Sequence, residues 1–186
     1  RDLNVVRKLI ETNITALLQN ASSAIKTDLI HLLQQAEIAA GNDVLVRWVD
    51  DGNESSVTRI AAMQLLTERK DPRSQKIIEN GLEDKDPHLR IAAGRILAQR
   101  HPRRAAMLLV PIVQRSTSQA ERQQTLATLG TLSEPRVATA LAGWLDQLCE
   151  GRFPEDLHLD LIEAAKRQND PEVADKLAAY RNTFSP

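Results

Sequence analysis

The side chains that could do chemistry are few and scattered. The four histidines, His31, His88, His101 and His158, fall in separate stretches of the chain. A metal site needs two or more ligands converging, commonly at i, i+4 or across a short loop, and no such spacing occurs. Three carboxylate pairs invite an acid–base reading: Asp50 with Asp51, Asp84 with Asp86, and Glu155 with Asp156. Each falls at a predicted helix boundary, where a carboxylate complements the helix dipole and caps free N–H groups. Catalysis would need a pair facing across a cleft, in environments that separate their pKa values. The one thiol, Cys149, precedes Glu150, and a neighbouring acid raises a thiol's pKa rather than activating it. The 7 glycines form neither a nucleotide-binding Gly-x-Gly-x-x-Gly nor a Walker sequence, and no Gly-x-Ser-x-Gly elbow is present. The sequence predicts no catalytic residue, no metal ligand and no cofactor-binding residue, so this stretch is not expected to be an enzyme.

Side chains that could hold a partner are more numerous. Arg95, Arg100, His101, Arg103 and Arg104 crowd the end of one predicted helix and the start of the next, and Arg69, Lys70 and Arg73 form a similar group earlier. Two readings stand. Cations near a helix C-terminus are favourable in their own right. Alternatively, Arg69, Arg73, Arg100, Arg103 and Arg104 form a stripe that docks an acidic protein surface. Trp48 and Trp144 each sit at an apolar helical position and are expected in the core, and either would become a hot-spot candidate if exposed. Asn13-Ile14-Thr15, Asn20-Ala21-Ser22 and Asn53-Glu54-Ser55 match the glycosylation sequon, a pattern short enough to arise by chance.

The elements that carry these residues repeat. Val57-Thr58-Arg59-Ile60-Ala61-Ala62 resembles His88-Leu89-Arg90-Ile91-Ala92-Ala93, and a fainter copy surrounds Arg122 at nearly the same interval again. Pro72, Pro102, Pro135 and Pro171 keep a similar rhythm, the interval lengthening slightly along the chain. A period of roughly 30 residues marks stacked supersecondary units. In the clearest unit Asp71 caps a helix starting at Pro72, with Ile77, Ile78 and Leu82 inward. Asp86 then caps a second helix opened by Pro87, with Leu89, Ala92, Ala93, Ile96 and Leu97 inward. The same reading predicts helices over 42–49, 54–68, 105–114, 119–132, 135–148, 154–167 and 171–180. A longer, less regular pair is predicted over 5–18 and 22–38.

One helix pair cannot cover both its faces, and stacking on neighbours does so. The expected fold is all-α: an α-solenoid of about five antiparallel helix pairs in a right-handed superhelix. It is expected as one domain over 1–186, irregular over 1–40 and regular over 41–186. Composition agrees, since 42% of residues are hydrophobic but only 3% aromatic, which suits thin Ala- and Leu-packed layers. A net charge of −1 removes the main argument for nucleic-acid binding, which needs surplus Lys and Arg. No apolar run approaches the roughly 20 residues of a membrane span. The chain begins at Arg1 rather than Met and ends without an evident cap at Phe184-Ser185-Pro186, and so reads as a piece of a longer protein.

The unit Asp71-Pro72 to Asp84-Lys85-Asp86-Pro87-His88-Leu89-Arg90-Ile91-Ala92-Ala93 resembles the HEAT-repeat family. In that family the aspartate of the inner turn and the arginine early in the second helix hydrogen-bond from repeat to repeat. The resemblance gives Asp84, Arg59, Arg90 and, in the fainter copy, Arg122 this ladder role. A planar guanidinium suits it, because it can satisfy turn carbonyls and a carboxylate together.

The run from Ala120 through Gly143-Trp144-Leu145 and Phe153-Pro154-Glu155-Asp156-Leu157 to Lys176-Leu177-Ala178-Ala179-Tyr180 is similar to a narrower group. These are the HEAT-repeat regions of large secreted, planctomycete-type haem-binding dehydrogenase-like proteins, where the repeats lie between a sugar-dehydrogenase-like propeller and a c-type cytochrome domain. The resemblance implies an extracytoplasmic, periplasmic or secreted, spacer within a larger oxidoreductase. Apart from the resemblance, the expected partners are protein or neighbouring domains of the same chain, with no nucleic acid and no membrane insertion, and a monomer is expected. The resemblance assigns no haem residue here, since Cys149-Glu150-Gly151-Arg152 has only the first cysteine of Cys-x-x-Cys-His; haem c would lie elsewhere in the parent. The competing readings are a stand-alone cytoplasmic scaffold of the same fold and a HEAT-like enzyme of the bilin lyase or DNA glycosylase type.

Overall fold

A computed structural model describes residues 13–35 and 40–184. All regular structure among the described residues is helical. The chain divides into two compact units, Arg1–Leu89 and Arg90–Pro186.

In the first unit the described helices are 13–19 (α1), Ser23–Gln35 (α2), Asn42–Asp50 (α3), Ser56–Glu68 (α4) and Ser74–Leu82 (α5). Most of the predicted helix over 5–18 lies outside the described residues, as does the end of the one over 22–38. Gly41 enters α3 at φ +89°, a left-handed conformation that suits glycine. Ser55 caps α4 by accepting the Thr58 N–H at 3.1 Å. The helix ends in a Schellman motif: the Asp71 N–H reaches back to the Leu66 carbonyl and that of Lys70 to Thr67. This places Lys70 at φ 54°, where glycine is usual. Helix α4 packs on α2, α3 and α5, burying Ala62, Met63, Leu65 and Leu66. Trp48 is buried on α3, with the Lys26 ammonium 5.1 Å from its ring centroid. Lys26 also pairs with Glu54, whose second oxygen is buried without a partner.

The remaining helices are Pro87–Arg100 (α6, entered from the first unit), Pro102–Arg115 (α7), Gln119–Leu129 (α8), Pro135–Cys149 (α9), His158–Lys166 (α10) and Pro171–Phe184 (α11), with a 3-10 turn over Glu155–Leu157. Prolines open α6, α7, α9 and α11 where their missing N–H costs nothing. Ser118 caps α8 through the Glu121 N–H. In the second unit α7 packs on both α8 and α9, α8 on α10, and α9 on α10 and α11. Each helix hairpin there lies against the next one in sequence. Gly130, at the end of α8, makes the α10 contact close: a Cβ there would stand 2.8 Å from the Ala164 Cα. Trp144 is buried, and Phe153 lies beside it with ring centroids 6.2 Å apart.

Several predicted boundaries shift. Helix α5 starts at Ser74 rather than Pro72, because the Asp71 carboxylate takes the Arg73 N–H at 2.9 Å and holds 71–73 as a turn. Helix α7 starts at Pro102 rather than Ala105, since Pro102 already has the φ a first helical residue needs. Helix α8 ends at Leu129, earlier than Leu132. The stretch after Pro154 begins as a 3-10 turn before α10 forms.

Candidate functional site

The arginines of the repeated motif take up equivalent positions in both units. On α4, Arg59 donates from Nε to the Val49 carbonyl at 2.8 Å, back toward its own hairpin partner. Its Nη1 and Nη2 grip both oxygens of Asp84, in the turn after α5, at 3.1 and 2.6 Å. On α8, Arg122 likewise donates from Nε to the Val113 carbonyl at 3.0 Å, and its Nη1 lies 3.9 Å from Asp156, in the 3-10 turn before α10. On α6, Arg90 forms a fork with Glu121 of α8, both bonds 2.7 Å. A bidentate fork fixes orientation as well as charge. Arg59, Arg90 and Arg122 therefore each bridge to a carboxylate further along the chain.

Glu121 was not legible as a bridge residue. One repeat after Asp84, at the spacing that separates Arg90 from Arg122, stands Ser116, which has no carboxylate. Ser116 keeps the turn function, its Oγ accepting the Ser118 N–H as Asp84 accepts that of Asp86. It also donates to Glu121 at 2.6 Å, so the acid is supplied from the first turn of α8 instead. Glu121 is buried, which pushes its pKa up, but the hydrogen bonds from Arg90 and Ser116 outweigh burial and hold it below its ordinary value. The available signal was a Glu immediately before the third arginine.

The five arginines expected to face a partner separate into two groups. Those of the α4–α5 turn are tied to the turn and to α3, Arg69 half-buried and Arg73 at the surface. Asp71 accepts from the Arg73 Nε and Nη2, both at 2.8 Å, and from Asn42 Nδ2 at 2.9 Å. Arg73 Nη1 donates to Asp43 at 2.6 Å, and Arg69 donates to the Asn42 side chain and the Ala40 carbonyl. The hydrogen bonds from Arg73 hold the Asp71 carboxyl well below the usual carboxylate range, against its burial, and Arg73 is raised in turn.

Arg100, Arg103 and Arg104 are exposed around the start of α7. One repeat on from Asp71 the equivalent place is taken by Pro102, which has no carboxylate. Along α7, Arg103 precedes Met107 and Arg104 precedes Leu108 by one helical turn, so each pair shares a face. Met107 is 55% and Leu108 40% exposed. Arg115 is exposed at the same helix's end, and α7 contains no acidic residue. A groove of about 580 Å³ adjoins this region, lined by residues including Arg95, Gln99, Pro102, Thr128, Leu132 and Glu134.

The remaining candidates are structural in placement. His31, His88 and His101 are exposed or nearly so, while His158 is half-buried with Nε2 3.0 Å from the Phe153 carbonyl. Among the described residues no group of three or more His, Cys, Asp or Glu side chains could hold a metal ion. Cys149 is half-buried at the end of α9. No helix among the described residues is long and apolar enough to cross a membrane.

Comparison with protein-family models, with curated proteins and with solved structures finds no match. The functional reading therefore rests on the bridges, the two turns and the face of α7. That face was only half legible: the arginines stood out in the sequence, but the exposure of Met107 and Leu108 did not, since both read as part of an ordinary apolar helix.

Proposed function

We infer that the chain is a non-catalytic interaction or spacer module, built as a HEAT-like α-solenoid in which consecutive helix pairs are joined by arginine–carboxylate bridges. The observation that carries this reading is the recurrence of one arginine position, Arg59, Arg90 and Arg122, each bridging to an acid further along the chain. A stack so joined presents equivalent turns and helix faces in series, a surface suited to holding a partner or a neighbouring domain. Solution scattering tests the architecture. A compact globule of this length has a radius of gyration of about 16 Å; a solenoid should give a clearly larger value, and one near that of the globule contradicts it.

On the sequence resemblance alone, the module belongs to an extracytoplasmic oxidoreductase and separates its propeller from its c-type cytochrome domain. Reading the gene beyond Pro186 tests this, since a Cys-x-x-Cys-His is expected downstream. Its absence would leave the stand-alone scaffold. A glycosylase would release a base from damaged duplex at low salt; neither base release nor gel retardation is expected.

A further inference from the structure

We propose that the solvent face of α7 is a docking surface for an acidic amphipathic segment of a partner protein. The inference rests on the interaction-module reading and supplies the chemistry of the partner. The face combines features that are seldom left open on a stable surface. Met107 and Leu108 are large apolar side chains exposed next to one another. Methionine in particular adapts its shape to varied apolar partners. Arg103 and Arg104 stand one turn before them, in the first turn of the helix. Cations there oppose the helix dipole, so they cost stability rather than adding to it. His101, at the N-cap, makes no side-chain capping bond. With Arg100 before the helix and Arg115 at its end, the charge along α7 is wholly positive in a protein whose net charge is −1.

Charge complementarity selects an acidic partner, and the apolar pair selects one with its own apolar stripe, as an amphipathic helix laid along α7 would present. A nucleic acid fits less well. Base stacking needs exposed aromatic rings, and α7 carries none. A second copy of this chain is the alternative protein occupant, because Glu155, Asp156 and Leu159 are exposed together at the start of α10.

The test is selection of random peptides displayed on phage against the intact chain, followed by fluorescence anisotropy with the enriched peptides. Enriched peptides should be net acidic with apolar residues every three or four positions. Their affinity should fall at least tenfold in the double variant Arg103→Glu/Arg104→Glu and in Met107→Ser/Leu108→Ser. It should hold in Arg136→Glu, a charge reversal at an exposed site on α9, and all three variants should keep the parent's helical circular dichroism. Absence of enrichment, peptides without acidic bias, or affinities insensitive to the α7 variants would overturn the proposal while leaving the module reading intact. Two further outcomes would also overturn it: tighter binding of a single-stranded oligonucleotide with the same dependence on α7, or concentration-dependent self-association abolished by the α7 variants. The first replaces the partner with nucleic acid, and the second replaces it with another copy of the chain.

Discussion

The α4–α5 turn and the α6–α7 turn carry the same arginines in the same register, yet place them differently. Arg69 and Arg100 correspond, as do Arg73 and Arg104, each pair separated by the interval that separates Arg59 from Arg90. Between them, Asp71 in one turn becomes Pro102 in the other. In the first, the buried Asp71 carboxylate gathers half-buried Asn42 and surface Arg73 and delays the helix to Ser74. In the second, Pro102 starts the helix at once and its arginines stand at the surface beside Met107 and Leu108. One residue decides whether a repeated cationic turn is organised by a buried carboxylate, Asp71, or by a proline, Pro102.

The largest expected effect comes from removing the residue that makes the difference. Asp71→Ala should cost about 2 kcal/mol in urea unfolding, since it strips acceptors from Asn42 and from a backbone N–H and releases Arg73 to solvent. A loss under about 1 kcal/mol would mean that the network is incidental and the two turns are equivalent.

Acid should separate the turns next. Asp71 and Glu121 both have folded pKa values held below the ordinary range. The unfolded chain therefore binds more protons than the folded one once pH drops toward the unfolded carboxylate value of about 4. The stabilisation they give is complete above that pH and is lost as pH falls through the folded values. The urea midpoint should decline from about pH 5 to about pH 2, and Asp71→Asn should flatten the decline. An unchanged slope in that variant would place the acid sensitivity elsewhere.

Smaller effects sharpen the contrast. Lys70 adopts the left-handed conformation at the end of α4, whereas α9 ends in the same motif with Gly151 there at φ 68°. Lys70→Gly should raise stability by about 0.5 kcal/mol by relieving that strain, read as a shift in thermal midpoint. Arg103→Ala, on the outward-facing turn, should change stability by less than about 0.5 kcal/mol. A larger loss would show that this arginine is held by the fold after all.

Much of the architecture was legible because helix punctuation is local. Pro87, Pro135 and Pro171 mark helix starts through their own backbone chemistry, and the Arg-Ile-Ala-Ala signature supplied the register. What escaped depended on groups distant in sequence. Asp71 read as a helix cap because its hold on Asn42 and Arg73 is a tertiary network. Glu121 escaped because Ser116 vacates the expected acidic position and a residue in the following helix compensates. That Asp71 engages Arg73 followed from the same cause, since an arginine looks alike in sequence whether or not a buried carboxylate faces it.

The central claim is that an arginine of one helix pair is energetically bound to a carboxylate of the next, and a double-mutant cycle on Arg90 and Glu121 tests it most directly. Arg90→Ala, Glu121→Ala and the double variant should give a coupling energy of about 2 kcal/mol by urea unfolding. Additive losses, with coupling below about 0.5 kcal/mol, would contradict the account.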